Sequence, residues 1–227
     1  MAVTDTAIRR IKQMIVDGEL RPGDRLPSEK ELSERLGLSR SSMREAVKAL
    51  EVIRVLDVRQ GDGTYVTSLE PALLLEAISF VADLHDDHAV LELFAVRRIL
   101  ESAATGIAAV RADAALVADL RAQLELVSGD TSVAELVQHD LKFHAAVVDA
   151  AGNAYLSTLV ESLSGATVRA RVWRGLTQEG ATTRTLDEHR AIVDALEAGD
   201  ARLAESLAVA HVAGIEQWLR RWAAPAD

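Results

Sequence analysis

The chain contains no cysteine among its 227 residues, which excludes disulfides and thiolate metal ligands. Nor does it open on a charged, then apolar, then small-residue leader, which argues against export and makes the cytoplasm the expected location. Long apolar runs are missing too. The most extended one, A-L-L-L-E-A-I-S-F-V-A from residue 72, is broken by Glu76 and falls short of the roughly 20 apolar residues that a membrane span needs. No internal repeat and no low-complexity segment is present. What remains is 49% hydrophobic, enough for the packed core of a soluble globular protein with one large domain or two unequal ones.

The net charge of -10 argues against a nucleic-acid partner until its distribution is considered. Through Ser68 twelve Lys and Arg face eleven acids, a balance of +1, so the rest of the chain carries -11. This asymmetry predicts two domains, one tolerant of a polyanion and one repelled by it.

In the first stretch Ile8, Ile11 and Ile15 mark an amphipathic helix that Asp17-Gly18 can end. After the turn Arg21-Pro22-Gly23-Asp24, Ser28 and Glu31 form a capping box that starts a second helix, which Gly37 closes. Ser39 can cap a third helix, R-S-S-M-R-E-A-V-K-A-L-E, whose Met43, Ala46, Val47 and Leu50 form the buried stripe. Two helices joined through about three residues make a helix-turn-helix. Arg40, Ser41 and Arg44 then face water near the N-terminus of the third helix, where such motifs meet the major groove. Arginine there can pair bidentately with guanine or clamp a phosphate, although a solvated charged face has the same composition. V-L-D-V-R-Q-G-D-G-T-Y-V adds a hairpin signal around Gly61-Asp62-Gly63, and three helices with a hairpin make a winged helix-turn-helix.

The run from D-R-L-P-S-E-K-E-L through R-E-A-V-K-A-L-E, followed by R-Q-G-D-G-T-Y-V, resembles the DNA-binding domain of the GntR superfamily of bacterial transcription regulators over about residues 5 to 67. The resemblance implies that Arg40 and Arg44 read bases or phosphates, that Lys30 contacts the duplex from the preceding helix, and that Gln60 and Gly61 enter the minor groove. One departure is Arg54, where the family usually has a glycine.

After T-S-L-E-P the composition shifts to Ala, Leu, Val and Glu, with turn signals at 151–153 and 198–200, which predicts an all-α antiparallel helical bundle. The expected organisation is a winged helix-turn-helix over 1–68, a linker over 69–74 and a helical effector-binding and dimerisation domain over 75–227, a mainly α protein. Phe94, Arg97 and Glu101 share one side of a helix.

Asp140 and His144 lie four apart on another helix, so carboxylate and imidazole can reach one point. That spacing alone fits a surface ion pair as well as ligation. His189 precedes the stripe Ile192, Val193, Leu196, which turns it inward, and His211 sits in the apolar stretch S-L-A-V-A-H-V-A-G-I. Each separately reads as a hydrogen-bonded core histidine; together, one Asp and three His on three helices fit a divalent transition-metal site. His85, His88 and His139 read most simply as solvated, with His139 a competing ligand beside Asp140.

The pattern D-x-x-x-H, then E-H-x-x-I, then a final H, together with R-R-I-L-E-S-A-A at 97–104, resembles the FCD ligand-binding domain of the FadR-like branch of GntR regulators over about residues 75 to 220. It implies Asp140, His144, His189 and His211 as ligands of zinc, or of nickel or manganese, and a small carboxylate effector. Arg97, Arg169 and Arg171 are candidate partners for that carboxylate, although Arg97 can equally pair with Glu101 in its own helix.

The expectation is a homodimeric, cytoplasmic regulator, a repressor of double-stranded operator DNA with no catalytic residues and no membrane partner. A metal sensor with the ion as signal and a metal-dependent hydrolase are the competing readings. The hydrolase lacks a general base beside the motif.

Overall fold

In a computed structural model, residues 3–70, 73, 87–128 and 131–223 are described. The apolar run from residue 72 and His85 lie outside them, as does the His88 side chain. The chain divides into two compact units, Met1–Leu74 and Leu75–Asp227. The described residues form ten helices and one two-stranded antiparallel hairpin.

The first unit contains α1 (Val3–Val16), α2 (Glu29–Leu36), α3 (Arg40–Val52), β1 (Leu56–Arg59) and β2 (Gly63–Val66). Helix α1 buries Ala7, Ile11 and Met14, with Ile8 and Ile15 flanking, so the apolar stripe centres on Ile11. The capping box forms as expected: the Glu31 amide donates to Ser28 Oγ, and the Ser28 amide donates to Glu31 Oε2 at 2.8 Å. Gly37 ends α2 with φ +67°, a left-handed conformation that costs other residues a clash at Cβ. Ser39 caps α3 by accepting from the Ser42 amide, and Met43, Ala46, Val47 and Leu50 are buried against α1 and the hairpin.

The wing pairs Leu56 with Val66 and Arg59 with Gly63, leaving Gln60, Gly61 and Asp62 as its tip. The segment before α2 lies along β2, with Leu26 N–H donating to the Thr64 carbonyl at 2.7 Å and Arg25 bridging Tyr65. The Arg25 guanidinium donates to the Asp62 carbonyl. Gly63 has φ +146°, a conformation that residues with a Cβ rarely adopt, and a Cβ there would also displace the Arg25 guanidinium. Arg54 takes the left-handed conformation, φ +58°, so an arginine here makes a turn that favours glycine.

The second unit contains α4 (Asp87–Arg111), α5 (Ala114–Glu125), α6 (Val133–Ala150), α7 (Ala154–Ala166), α8 (Val168–Thr177), α9 (Ala181–Glu197) and α10 (Ala201–Ala223). Helices α4 and α10 run antiparallel along most of their length, with Gly106 against Ala201 and Arg98 paired with Glu216. The main core joins Ala108, Leu120, Leu124, Phe143, Val147, Ile192, Val193 and Leu196, so α6 and α9 are held face to face. A second capping box, Ser132 with Glu135, starts α6. None of the described helices is long and apolar enough to cross a membrane.

Removing the Ser28 hydroxyl leaves a helix donor without its cap. Ser28→Ala is expected to lower the stability of the DNA-binding unit by about 1 kcal/mol, read from denaturant unfolding of the full chain.

A buried aspartate and three histidines, and an exposed recognition helix

Helix α6 buries one continuous stripe that includes Leu136, Val137, Asp140, Phe143, His144, Val147 and Val148. Three polar side chains, His139, Asp140 and His144, are therefore carried inside by the same periodicity that buries the apolar ones. His189 comes from α9 and His211 from α10, and both are fully enclosed. The four ligand atoms lie within 4.8 Å of one another.

The Asp140 carboxylate divides its two oxygens. Oδ1 lies 3.5 Å from His144 Nε2, 3.4 Å from His189 Nε2 and 3.8 Å from His211 Nε2. Oδ2 accepts from the Arg171 guanidinium on α8. His144 Nε2 and His211 Nε2 are 3.1 Å apart. Bonds of about 2.1 Å to one ion at tetrahedral or octahedral angles separate ligand atoms by roughly 3.0–3.5 Å. His189 Nε2 is buried with no hydrogen-bond partner among the described residues, as a nitrogen that awaits a ligand would be. Both the donor set and its spacing fit a divalent transition ion.

The far sides of the rings are also engaged. His211 Nδ1 is 2.8 Å from Glu188 Oε2, which fixes the tautomer that leaves Nε2 facing the site. His189 Nδ1 is 3.4 Å from His139 Nε2, and its ring stacks on Phe143 at 4.0 Å. His139 is thus not solvated as its residue type suggested. It falls three residues after Leu136 and four before Phe143, on the buried face, and supports His189 from behind.

Burial disfavours ionisation of Asp140, yet Arg171 and His144 hold its carboxyl well below the usual range. Burial pushes His189 well below the usual histidine value, so it stays neutral and ready to ligate. Burial also opposes charge on His211, but Asp140 and Glu188 outweigh it and raise its pKa above 6.5.

Beside the cluster is a cavity of about 30 Å³ lined by Leu136, Asp140, Arg171, Arg174, Ala181 and Thr185, among others. Of the arginines considered from sequence, only Arg171 reaches it. Arg169 is exposed. Arg97 donates to Glu101 Oε1 at 2.6 Å and to Thr167 Oγ1 at 2.9 Å, the pairing within its own helix that was its ordinary structural reading. Arg174 was overlooked, although it stands three residues from Arg171 and therefore on the same face of α8.

In the first unit Lys30, Arg40, Ser41, Arg44, Gln60 and Gly61 are all exposed. Arg44 Nε lies 3.2 Å from Glu29 across an exposed pair, and Ser41 Oγ is 2.9 Å from Ser39 Oγ. An exposed contact of that kind gives way at little cost when a phosphate or base edge competes.

A winged helix with a free recognition face, followed by a helical unit with an enclosed polar centre, defines a DNA-binding regulator with a sensing domain. The family model for bacterial regulatory proteins of the gntR family matches residues 3–66, and that for the FCD domain matches residues 92–214. The HTH-type transcriptional regulator LutR of Bacillus subtilis is 33% identical over 214 residues, covering 91% of this chain and 96% of that protein. The galactonate operon transcriptional repressor of Escherichia coli is 28% identical over 224 residues, 96% of each. A solved structure of a Streptococcus agalactiae GntR protein superposes with a TM-score of 0.71 at 23% identity, over 95% of this chain and 99% of that one. The chain belongs to the GntR family of transcription regulators and carries the FCD domain. Its relatives are regulators, which removes the hydrolase reading.

Zinc uptake by the metal-free protein is expected to release protons near neutral pH and below, because ligation needs the neutral ring of His211, whose pKa is raised. Calorimetry in buffers of different ionisation enthalpy measures the release, and affinity should fall as pH is lowered through that range. His144→Ala should cost more zinc affinity than the roughly 10–100-fold that loss of an outer partner costs in Glu188→Gln.

Proposed function

We propose that the chain is a homodimeric cytoplasmic repressor whose affinity for operator DNA falls when a small carboxylate binds at a divalent metal in the FCD domain. The observation that carries this reading is the Asp140, His144, His189 and His211 cluster opening on a cavity that also holds Arg171 and Arg174. Those four residues would hold the ion, zinc by donor set with nickel or manganese as substitutes. Bound there, the ion would supply a Lewis-acidic centre for an anionic oxygen.

The residues around it favour the same ligand class. Arg171 offsets the charge of Asp140, and Arg174 adds a second buried cation, so an anion entering the cavity meets positive charge at low dielectric. A named relative is the galactonate operon repressor, and galactonate is a carboxylate. About 30 Å³ accommodates little more than a water or two, so a multi-carbon acid binds only after Arg171 and Arg174 on α8 draw away from Thr185 on α9. That requirement gives the effector unequal affinity for two arrangements of the domain, the condition for a population shift.

DNA would be held by Arg40, Ser41 and Arg44 in the major groove, Lys30 from α2, and Gln60 and Gly61 in the minor groove. A dimer would present two such helices to a two-fold operator.

The second reading, with the ion itself as signal, draws on the same small cavity, which suits an ion better than an acid. The test is fluorescence anisotropy on the DNA upstream of the chain's own gene, with chelator, zinc alone, and zinc plus galactonate or other small acids. Loss of binding only in the zinc-plus-acid arm supports the carboxylate, and loss with zinc alone supports the ion. Failure of every arm to bind DNA at physiological salt would sink both. Arg44→Ala is expected to weaken operator binding by about tenfold to 100-fold, the value of one bidentate base contact.

A further inference from the structure

Between residues 93 and 110 of α4, the exposed side chains are Val96, Ile99, Ala103, Ile107 and Val110. The half-exposed Arg98 side chain beside them is tied to Glu216 on α10. Ile99 is 64% exposed and Val110 73%, values that no soluble helix gains from by itself. The inner face of the same helix is buried through Phe94, Arg97, Glu101, Ala104, Thr105 and Ala108, so the stripe is not a misplaced core.

The order of the stripe decides what covers it. Its steps are three, four, four and three residues, and its residues read Val, Ile, Ala, Ile, Val in either direction. A two-fold axis through Ala103 would set Val96 of one copy against Val110 of the other, and Ile99 against Ile107. The smallest side chain falls at the crossing point, where two helices approach closest. An isologous interface requires this kind of self-complementarity, and a different partner protein would not. The ends agree with it: exposed Glu92 precedes the stripe and exposed Arg111 follows it, so antiparallel pairing brings acid near base at both rims. From Val96 to Val110 the seam runs about 21 Å, at 1.5 Å per residue, the spacing of a short two-helix seam.

We propose that α4 is the dimerisation helix and that it pairs antiparallel with α4 of a second copy about Ala103. This rests on the homodimer reading above and supplies its surface. The inner face of the helix is tied to the buried cluster: Arg97 and Arg171 both donate to Thr167 Oγ1, and Arg171 donates to Asp140. The seam and the sensing site therefore share one helix.

Because the chain has no native cysteine, single cysteines report the geometry without background. In the full-length protein Ala103→Cys is expected to cross-link to itself with a short bismaleimide at micromolar concentration. Ile99→Cys should cross-link poorly alone but efficiently when mixed with Ile107→Cys. Ile99→Asp should weaken the dimer at least about 100-fold by sedimentation, since it buries two unpaired charges in the seam. Its circular dichroism should remain that of the wild type, and the cysteine variants guard against a folding artefact because they leave the face apolar. A wild-type dimer whose Ala103→Cys form does not cross-link, or whose Ile99→Asp form stays dimeric, overturns this seam and leaves the dimer reading intact. A monomeric wild type overturns both.

Discussion

A carboxylate buried away from bulk water, and yet kept ionised, organises the second unit. Burial by itself would protonate Asp140, and only the Arg171 guanidinium on one oxygen and the imidazoles on the other make the anion tolerable. Each of those partners then inherits a constraint. His189 is held neutral by its enclosure, whereas at His211 burial is outweighed by Asp140 and Glu188, which raise its pKa. A divalent cation in the same cage would compete with protonation of His211. Removing one member of such a set leaves the others as uncompensated buried charge, so the cluster is cooperative in folding as well as in ligation.

The same constraint accounts for the arginines and hydroxyls that lead away from the site. Arg171 also donates to the Ser164 carbonyl at 2.6 Å and to Thr167, and Thr167 accepts from Arg97, whose other nitrogens hold Glu101. Burial opposes the Glu101 charge, but Arg97 keeps the carboxyl below its ordinary range. This chain of charge-assisted contacts joins α6, α7, α8 and α4, and a change at Asp140 reaches α4 in three steps. In the proposed dimer α4 is also the seam, so both sites would act on the same helix. Packed seams switch between discrete registers more readily than they deform, so a small displacement at Arg171 can become a change in the disposition of two subunits.

What could be read from the sequence divides along the range of the forces involved. Ser28 with Glu31, Gly37, Ser39 and the Gly61-Asp62-Gly63 tip act over a few residues, and the structure places each as its local chemistry requires. The gathering of Asp140, His144, His189 and His211 in one buried cluster was also legible, because a polar residue inside an apolar period is conspicuous. The outer partners were not. Whether Arg97, Arg169, Arg171 or Arg174 meets Asp140 depends on how α8 is turned against α6, which is decided by packing between elements and leaves no periodic trace. The His139 error has the same origin with a recoverable signal, since the Leu136 to Phe143 spacing already put it on the buried face. The α4 stripe was hidden for another reason: a helix apolar on both faces shows no amphipathic contrast, and only the fold separates the face that is covered from the face that is not.

Charge makes the division between the units more than an architectural one. The residues beyond Ser68 carry -11, but the interior of that unit gathers Arg97, Arg171 and Arg174 around Asp140 and Glu101. Its acidity is therefore a property of the surface and its basicity a property of the site. A negative surface disfavours contact of this unit with the phosphate backbone, so that contact with a duplex falls to the nearly neutral winged helix, whose basic side chains are spread over its three helices and the strand that leads to the tip. The same surface field disfavours the approach of any anion, and within about a Debye length of the surface an incoming carboxylate is repelled rather than steered. Selectivity for such a ligand must then arise within a few ångströms, from guanidinium groups and a metal-ready cage in a dry cavity where each interaction is many times stronger than in water. Net charge describes what the domain avoids, and the buried pairs describe what it can hold.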